Sequence, residues 1–322
     1  MKNLLKRLFS GETATPEEKK TQDDQKRFDI LKYDGIRALR IGKADYAKKC
    51  LEGAYALRDD DAELRHYLLT AYLQLGELES ALSLEQAILQ REPENIQAYV
   101  ALGNIYFMQE NYADMITALK QGEAVDSKQE QIHFLLGKAY HGTHDELQAI
   151  AELTRAITLK EDFFEAYLLR GTILQEMKQV EEAAADAAKV LQLAPEDEQA
   201  LMLGGTVACL KGEGEEACRY FSKVTEVNPF NQKAYEYLVQ VLVSQQKTDE
   251  AMATLNEAIE VHPSAANFYR LRGQLKLQTG DEAGSAEDLK KSLELNPEQE
   301  KEVSGQYRNY EEPFRIDIFR MG

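Results

Sequence analysis

Residues 195–229 run Pro195-Glu-Asp-Glu-Gln-Ala-Leu-Met-Leu-Gly-Gly205-Thr-Val-Ala-Cys-Leu-Lys-Gly-Glu-Gly-Glu-Glu-Ala217-Cys-Arg-Tyr-Phe-Ser-Lys-Val-Thr-Glu-Val-Asn-Pro229. Two apolar-rich segments flank Gly212-Glu213-Gly214, and a proline closes each end. This is the pattern of two short helices joined by a turn. The prolines then recur: Pro195, Pro229, Pro263 and Pro297 are spaced by 34 residues, and Pro93 precedes Pro195 by 102, three times that interval. A 34-residue period made of two helices predicts an array of helical hairpins.

Setting phase one at Phe28 gives eight units with no insertion, starting at Phe28, Ala62, Ile96, Glu130, Phe164, Glu198, Gln232 and Ala266, the last ending at Gln299. Position eight holds Gly35, Leu69, Gly103, Gly137, Gly171, Gly205, Val239 and Gly273. Six glycines at one phase, in a chain with 19 in 322, mark a close helix–helix crossing, because a helix interior otherwise disfavours Gly. Position twenty is small in every unit but the third, with Ala47, Ala81, Ala149, Ala183, Ala217, Ala251 and Ser285 against Met115. Position four is large in most units: Tyr99, Tyr167, Tyr235 and Tyr269, with Leu31, His133, Leu201 and Arg65 in the others. The large side chains fill the space that the small residues leave.

Residues 28–299 resemble the tetratricopeptide repeat family, whose pattern has an aromatic at position four, Gly or Ala at eight, Ala at twenty and Pro at thirty-two. The resemblance implies an all-α fold, a right-handed superhelical solenoid of about eight helix-turn-helix repeats. Repeats two to four are the least regular, and Arg65 stands where repeat two should have an aromatic, which puts the fine packing of that repeat in doubt. Three segments follow: an amphipathic and polar extension over 1–27, the repeats over 28–299, and a capping helix with a tail over 300–322. A cap covers the apolar face that a terminal repeat would expose. The tail Phe314–Met321 alternates apolar and polar residues, an extended pattern that suits its own groove or a neighbour's, which leaves self-association as one reading.

Composition narrows the function. Hydrophobic content of 43% and charged content of 29% are those of a globular chain, and no apolar run approaches a spanning helix. With 38 Lys and Arg against 56 Asp and Glu, the net charge of −18 disfavours a nucleic-acid partner. Cys50, Cys209 and Cys218 have no paired spacing and read as reduced thiols of a cytoplasmic protein. Met1–Ser10 separates Met1, Leu4, Leu5, Leu8 and Phe9 from Lys2, Lys6 and Arg7 on a helix, which makes peripheral contact with the inner face of a membrane an alternative.

Catalytic signatures are missing. There is no Gly-x-Ser-x-Gly, phosphate-binding loop, His-Glu-x-x-His or Cys-x-x-Cys. Gly212-Glu-Gly214-Glu-Glu-Ala217 matches a dinucleotide string in letters only, since no strand precedes it and its glutamates repel phosphate. His133 sits at the core-facing fourth position and His144 at an inter-helix turn, so these histidines and His141 should not converge on a metal. The expectation is no enzyme, no cofactor and no metal.

The resemblance implies that the first helix of each repeat lines a concave face at positions two, five, nine, twelve and thirteen. Carried over, these positions give Val100, Asn104, Phe107 and Met108 in repeat three, and Gln131, Phe134, Lys138 and His141 in repeat four. Repeat five supplies Leu168 and Thr172, and repeat six supplies Met202, Thr206 and Leu210. Phe107, Met108, Phe134, Leu168, Met202 and Leu210 would form an exposed apolar strip, the kind of surface that marks an interaction site. Asn104, Gln131 and Thr172 would bond a peptide backbone, and Lys138 a carboxylate. The family's clamp for chaperone C-terminal carboxylates needs a basic residue at position five and Asn at nine. Lys32 is followed by Ile36, and Asn104 is preceded by Val100, so no repeat has both. The function expected is a non-enzymatic scaffold or adaptor holding a peptide or protein segment in this groove.

Overall fold

Turn and cap chemistry set the limits of the elements. The computed structural model describes residues 16–297, which form sixteen α-helices and no strand. The first helices of the repeats are α1 (Pro16–Arg40), α3 (Ala62–Leu75), α5 (Ile96–Met108), α7 (Glu130–Gly142), α9 (Phe164–Glu176), α11 (Glu198–Lys211), α13 (Gln232–Ser244) and α15 (Ala266–Gln278). The second helices are α2 (Ala44–Leu57), α4 (Leu78–Arg91), α6 (Tyr112–Val125), α8 (Glu146–Leu159), α10 (Val180–Leu193), α12 (Gly214–Val227), α14 (Thr248–Val261) and α16 (Glu282–Leu295). From α3 onward every odd helix begins at phase one of the 34-residue period. Asp61, Asn95, Asp197 and Asn231 end the preceding unit and accept a backbone N–H of the next helix's first turn, satisfying groups that helix geometry leaves unbonded. The expected capping helix and tail, and the Met1–Ser10 helix, lie outside the described residues.

Each hairpin turns at position fifteen, where the backbone is left-handed in all eight repeats. Gly42, Gly76, Gly212 and Gly280 hold that place in four, and Glu110, His144, Lys178 and Gln246 in the other four. The next residue's N–H then reaches back to the carbonyl of position eleven, as from Glu77 to Tyr72 and from Gln179 to Leu174, at 2.9 and 2.8 Å. That closes the first helix with a Schellman turn.

The described chain falls into two compact units, one ending at Lys128 and the other beginning at Gln129. In both, each helix packs on its sequence neighbours, and the hairpins close where position eight lacks a side chain. A Cβ on Gly35 would lie 2.6 Å from Leu51 Cγ, one on Gly137 2.6 Å from Leu153 Cγ, and one on Gly205 2.5 Å from Phe221 Cε1. Leu51, Leu153 and Phe221 all occupy position 24 and are fully buried. The close crossing thus converts an absent side chain into a seat for a large one on the facing helix.

Repeat two reverses this pair. Leu69 stands at position eight and Glu85 at position 24, and α3–α4 is the least extensively packed hairpin of the eight. Glu85 is 5% exposed, and burial pushes its carboxyl up to about 7 against a weaker opposing pull from Arg65. Arg65, in the aromatic place, lays its stem in the core and sends its guanidinium to Glu92 at 2.7 Å. Elsewhere position four follows the expected logic: the hydroxyls of Tyr99 and Tyr269 donate to the carbonyls of Pro93 and Pro263, tying each repeat to the proline before it.

Two outcomes follow from this packing. Gly137→Ala should lower stability by about 1–3 kcal/mol in urea unfolding, and the added Leu153→Ala should recover less than an additive loss because the two changes share one space. Glu85 stays protonated in the fold above the pH at which it ionises in the unfolded chain. Its contribution is therefore greatest below pH 4.5 and is lost between 4.5 and about 7, by about 3 kcal/mol. Glu85→Gln should remove that slope and leave the chain more stable than the parent at pH 8; equal slopes in both proteins would show that the carboxyl is not held neutral.

Candidate functional site

The inner residues expected to bind a partner fall into both units, and each set is described by itself. In the first unit α5 carries Val100, Asn104, Phe107 and Met108. Met108 is 53% exposed, Val100 and Phe107 are half-buried, and Phe107 stands 6.1 Å from the Tyr112 ring. Asn104 is exposed but its amide donates to the Val100 carbonyl at 3.0 Å, one turn back on its own helix.

The second unit contributes α7, α9 and α11. Phe134, Leu168 and Met202 occupy position five on these three helices and are all half-buried. Phe134 packs on Phe163 with ring centroids 5.0 Å apart, and Lys138 Nζ lies 5.8 Å from the Phe134 centroid. Burial against this ring lowers the Lys138 pKa. Gln131 and Leu210 are half-buried, and His141 Nδ1 meets Glu146 Oε2 at 2.9 Å. The strip is therefore less exposed than expected: Met108 is the one residue of its six that is mostly open to solvent, and the other five are half-buried.

Two of the polar positions are spent within the fold. Thr172 donates to the Leu168 carbonyl at 2.8 Å. Thr206 is 7% exposed, and its hydroxyl lies 2.7 Å from Gln175 Oε1 and about as near to the Met202 and Leu203 carbonyls. It acts as a bridge from α11 to α9 and is not surface for a ligand. The clamp comparison ends the same way: Lys32 is 6% exposed and bonds Asp61 and Glu63 at 2.9 and 2.7 Å. Burial would lower its pKa, but the bonds to Glu63 and Asp61 outweigh that and raise it.

Residues that sequence reasoning passed over hold the inner helices in place. Arg170, at position seven of α9, forks onto Asp186 of α10 through Nε and Nη2 at 2.8 and 2.7 Å, and its Nη1 donates to Thr154 of α8 at 2.8 Å. Arg272 repeats this with Asp288 at the same two distances and with Asn256. The signal was an acidic residue at position 23 facing an arginine sixteen residues earlier. His133 fills the fourth position with its Nδ1 2.8 Å from Glu152 Oε2, both side chains buried, so here the acid at position 23 meets a histidine. A further concavity of about 410 Å³ opens in repeat two, lined by Tyr55, Leu68, Tyr72, Glu79, Ser80, Ser83, Leu84 and Ala87, and none of the expected residues reaches it. Among the described residues no helix is long and apolar enough to cross a membrane.

Tetratricopeptide repeat models match residues 35–96, 130–163, 164–197, 210–275 and 266–299. The matches at 130–163, 164–197 and 266–299 coincide with repeats four, five and eight as phased from Phe28. The chain is a tetratricopeptide repeat protein. No curated protein matches its sequence. Among solved structures, pilF from Pseudomonas aeruginosa is similar over 67% of this chain and 98% of its own, with TM-score 0.55 and 16% identity. One chain of the APC/C hetero-tetramer Cut9-Hcn1 is similar over 88% of this chain and 56% of its own, with TM-score 0.54 and 17% identity. YrrB, a TPR protein with an unusual peptide-binding site, matches over 59% of this chain and 98% of its own, with TM-score 0.50 and 17% identity. At these identities the likeness is one of fold.

Arg170→Met tests the buried fork in this tetratricopeptide repeat protein. It leaves Asp186, 2% exposed, without its guanidinium, and should cost about 3–5 kcal/mol of unfolding free energy. The double change Arg170→Met/Asp186→Leu should recover most of that loss.

Proposed function

We propose that this tetratricopeptide repeat protein, a protein-interaction scaffold by family, holds an extended peptide or protein segment across α7, α9 and α11, without catalysis. The observation that carries the reading is the row formed by Phe134, Leu168 and Met202, three large apolar side chains at one phase position on successive inner helices and all partly open to solvent. Neighbouring helix axes lie about 8–10 Å apart, so the row offers anchor points at roughly the spacing of every third residue of an extended chain. Lys138, half-buried on the Phe134 ring, adds a cation whose partial desolvation strengthens its attraction to a carboxylate. Gln131, Thr172, Leu210 and His141 border the row. Val100, Asn104, Phe107 and Met108 on α5 are a separate contact of the first unit. YrrB, of the same fold, has a peptide-binding site, which supports reading these repeats as peptide carriers. The three free cysteines support a cytoplasmic setting.

Met202→Gln and Leu168→Gln together should weaken capture of partners from native lysate by about tenfold or more, roughly what two apolar anchors contribute, with the helical melt within a few degrees of the parent. Identical partner sets for the two proteins would place the site elsewhere.

A further inference from the structure

Charge is segregated along the chain. The first 58 residues hold fourteen Lys and Arg against nine Asp and Glu, whereas the remaining 264 hold 24 against 47. The basic end coincides with an uncovered apolar face. Ile30, Tyr33 and Ile41 are 62%, 60% and 62% exposed. Ile30 and Tyr33 stand at positions three and six of the first repeat, on α1, and those positions are buried or half-buried in α3, α5, α9, α11, α13 and α15, each of which packs on the even helix before it.

The guanidiniums make the same division. Among the described residues Arg58, Arg65, Arg91, Arg155, Arg170, Arg219 and Arg272 each hold a carboxylate, and Arg270 bonds Asn267. Arg27, Arg37 and Arg40, all exposed and all on α1, hold none. At 100° per residue these three fall with Ile30 and Tyr33 inside an arc of about 140°. Lys26 lies in the same arc, and Asp23 and Asp34 oppose it with two negative charges.

Position ten decides what covers this face. It is buried and aliphatic as Ala71, Ile105, Ile173, Val207, Val241 and Leu275, and it is Arg37 in α1. An aliphatic helix of the kind that covers position ten in the later repeats would bury the Arg37 guanidinium unpaired, a costly arrangement. A layer of phosphate and carboxylate headgroups would bond Arg37 while Ile30, Tyr33 and Ile41 enter the apolar boundary beneath, as amphipathic interfacial helices do. The acidic remainder of the chain is repelled by the same layer, which favours contact through this end.

We propose that the open face of α1 docks on an anionic lipid bilayer, through Ile30, Tyr33 and Ile41 in the interfacial layer and Arg27, Arg37 and Arg40 on lipid headgroups. The test is sedimentation of the full chain with vesicles of phosphatidylcholine plus phosphatidylserine, and with phosphatidylcholine alone. Binding should require the anionic lipid and fade with added salt. Arg37→Glu/Arg40→Glu and Ile30→Asp/Tyr33→Asp should each lower it about tenfold or more, while both variants, changed only at exposed sites, keep the parent's melt. Three outcomes overturn the proposal: no sedimentation with the anionic vesicles, which would leave an acidic protein as the partner to seek; equal sedimentation of parent and α1 variants; or loss confined to Lys2→Glu/Lys6→Glu/Arg7→Glu with the α1 variants still bound.

Discussion

The missing side chain at position eight fixes the distance between the two helices of a repeat, and the rest of the structure is arranged around that distance. With Gly35, Gly137 and Gly205 the backbones come close enough that Leu51, Leu153 and Phe221 fill the space a Cβ there would need. A large residue at position four then has room beside the small one at position twenty, and the hydroxyls of Tyr99 and Tyr269 reach the preceding proline carbonyl. The inner face is a consequence of this. Residues at positions five and nine are not needed to close the hairpin, and most of them are left partly open, with Lys32, Ile36 and Thr206 buried.

Repeat two shows what happens when the constraint is exchanged. A leucine at position eight spends the space that position 24 would have used, and a glutamate at position 24 accepts a site too apolar for a charge. The hairpin packs loosely, and a cleft of about 410 Å³ opens beside it, floored by Leu68 and Tyr72 of α3 and walled by α2 and α4. Stability in this repeat is thereby tied to proton concentration near neutrality.

Much of the fold was legible because the proline period and the position-eight glycines are imposed by backbone geometry, which leaves few residue types to choose from. The same reasoning put the packing of repeat two in doubt from Arg65, though not the role of Glu85, whose meaning depends on Leu69 opposite. The turns were only half visible: glycine announces a left-handed residue at 42, 76, 212 and 280, but Glu110, His144, Lys178 and Gln246 adopt the same conformation under tertiary constraint. The inner face was legible in position and not in exposure. Side-chain lean and capture by neighbours, as for Thr206 with Gln175, are set by packing between repeats, which a single-sequence pattern does not encode. The division after Lys128 left no mark in the period at all.

The scaffold reading turns on whether partners meet the inner helices and leave the outer ones bare. A photo-reactive leucine analogue at position 168, on α9, and the same group in place of Ala185, exposed on α10, would be irradiated in cells and the adducts identified by mass spectrometry. A defined protein adduct is expected from position 168 and none from 185. Adducts from 185 alone, or the same adducts from both, would contradict the scaffold reading.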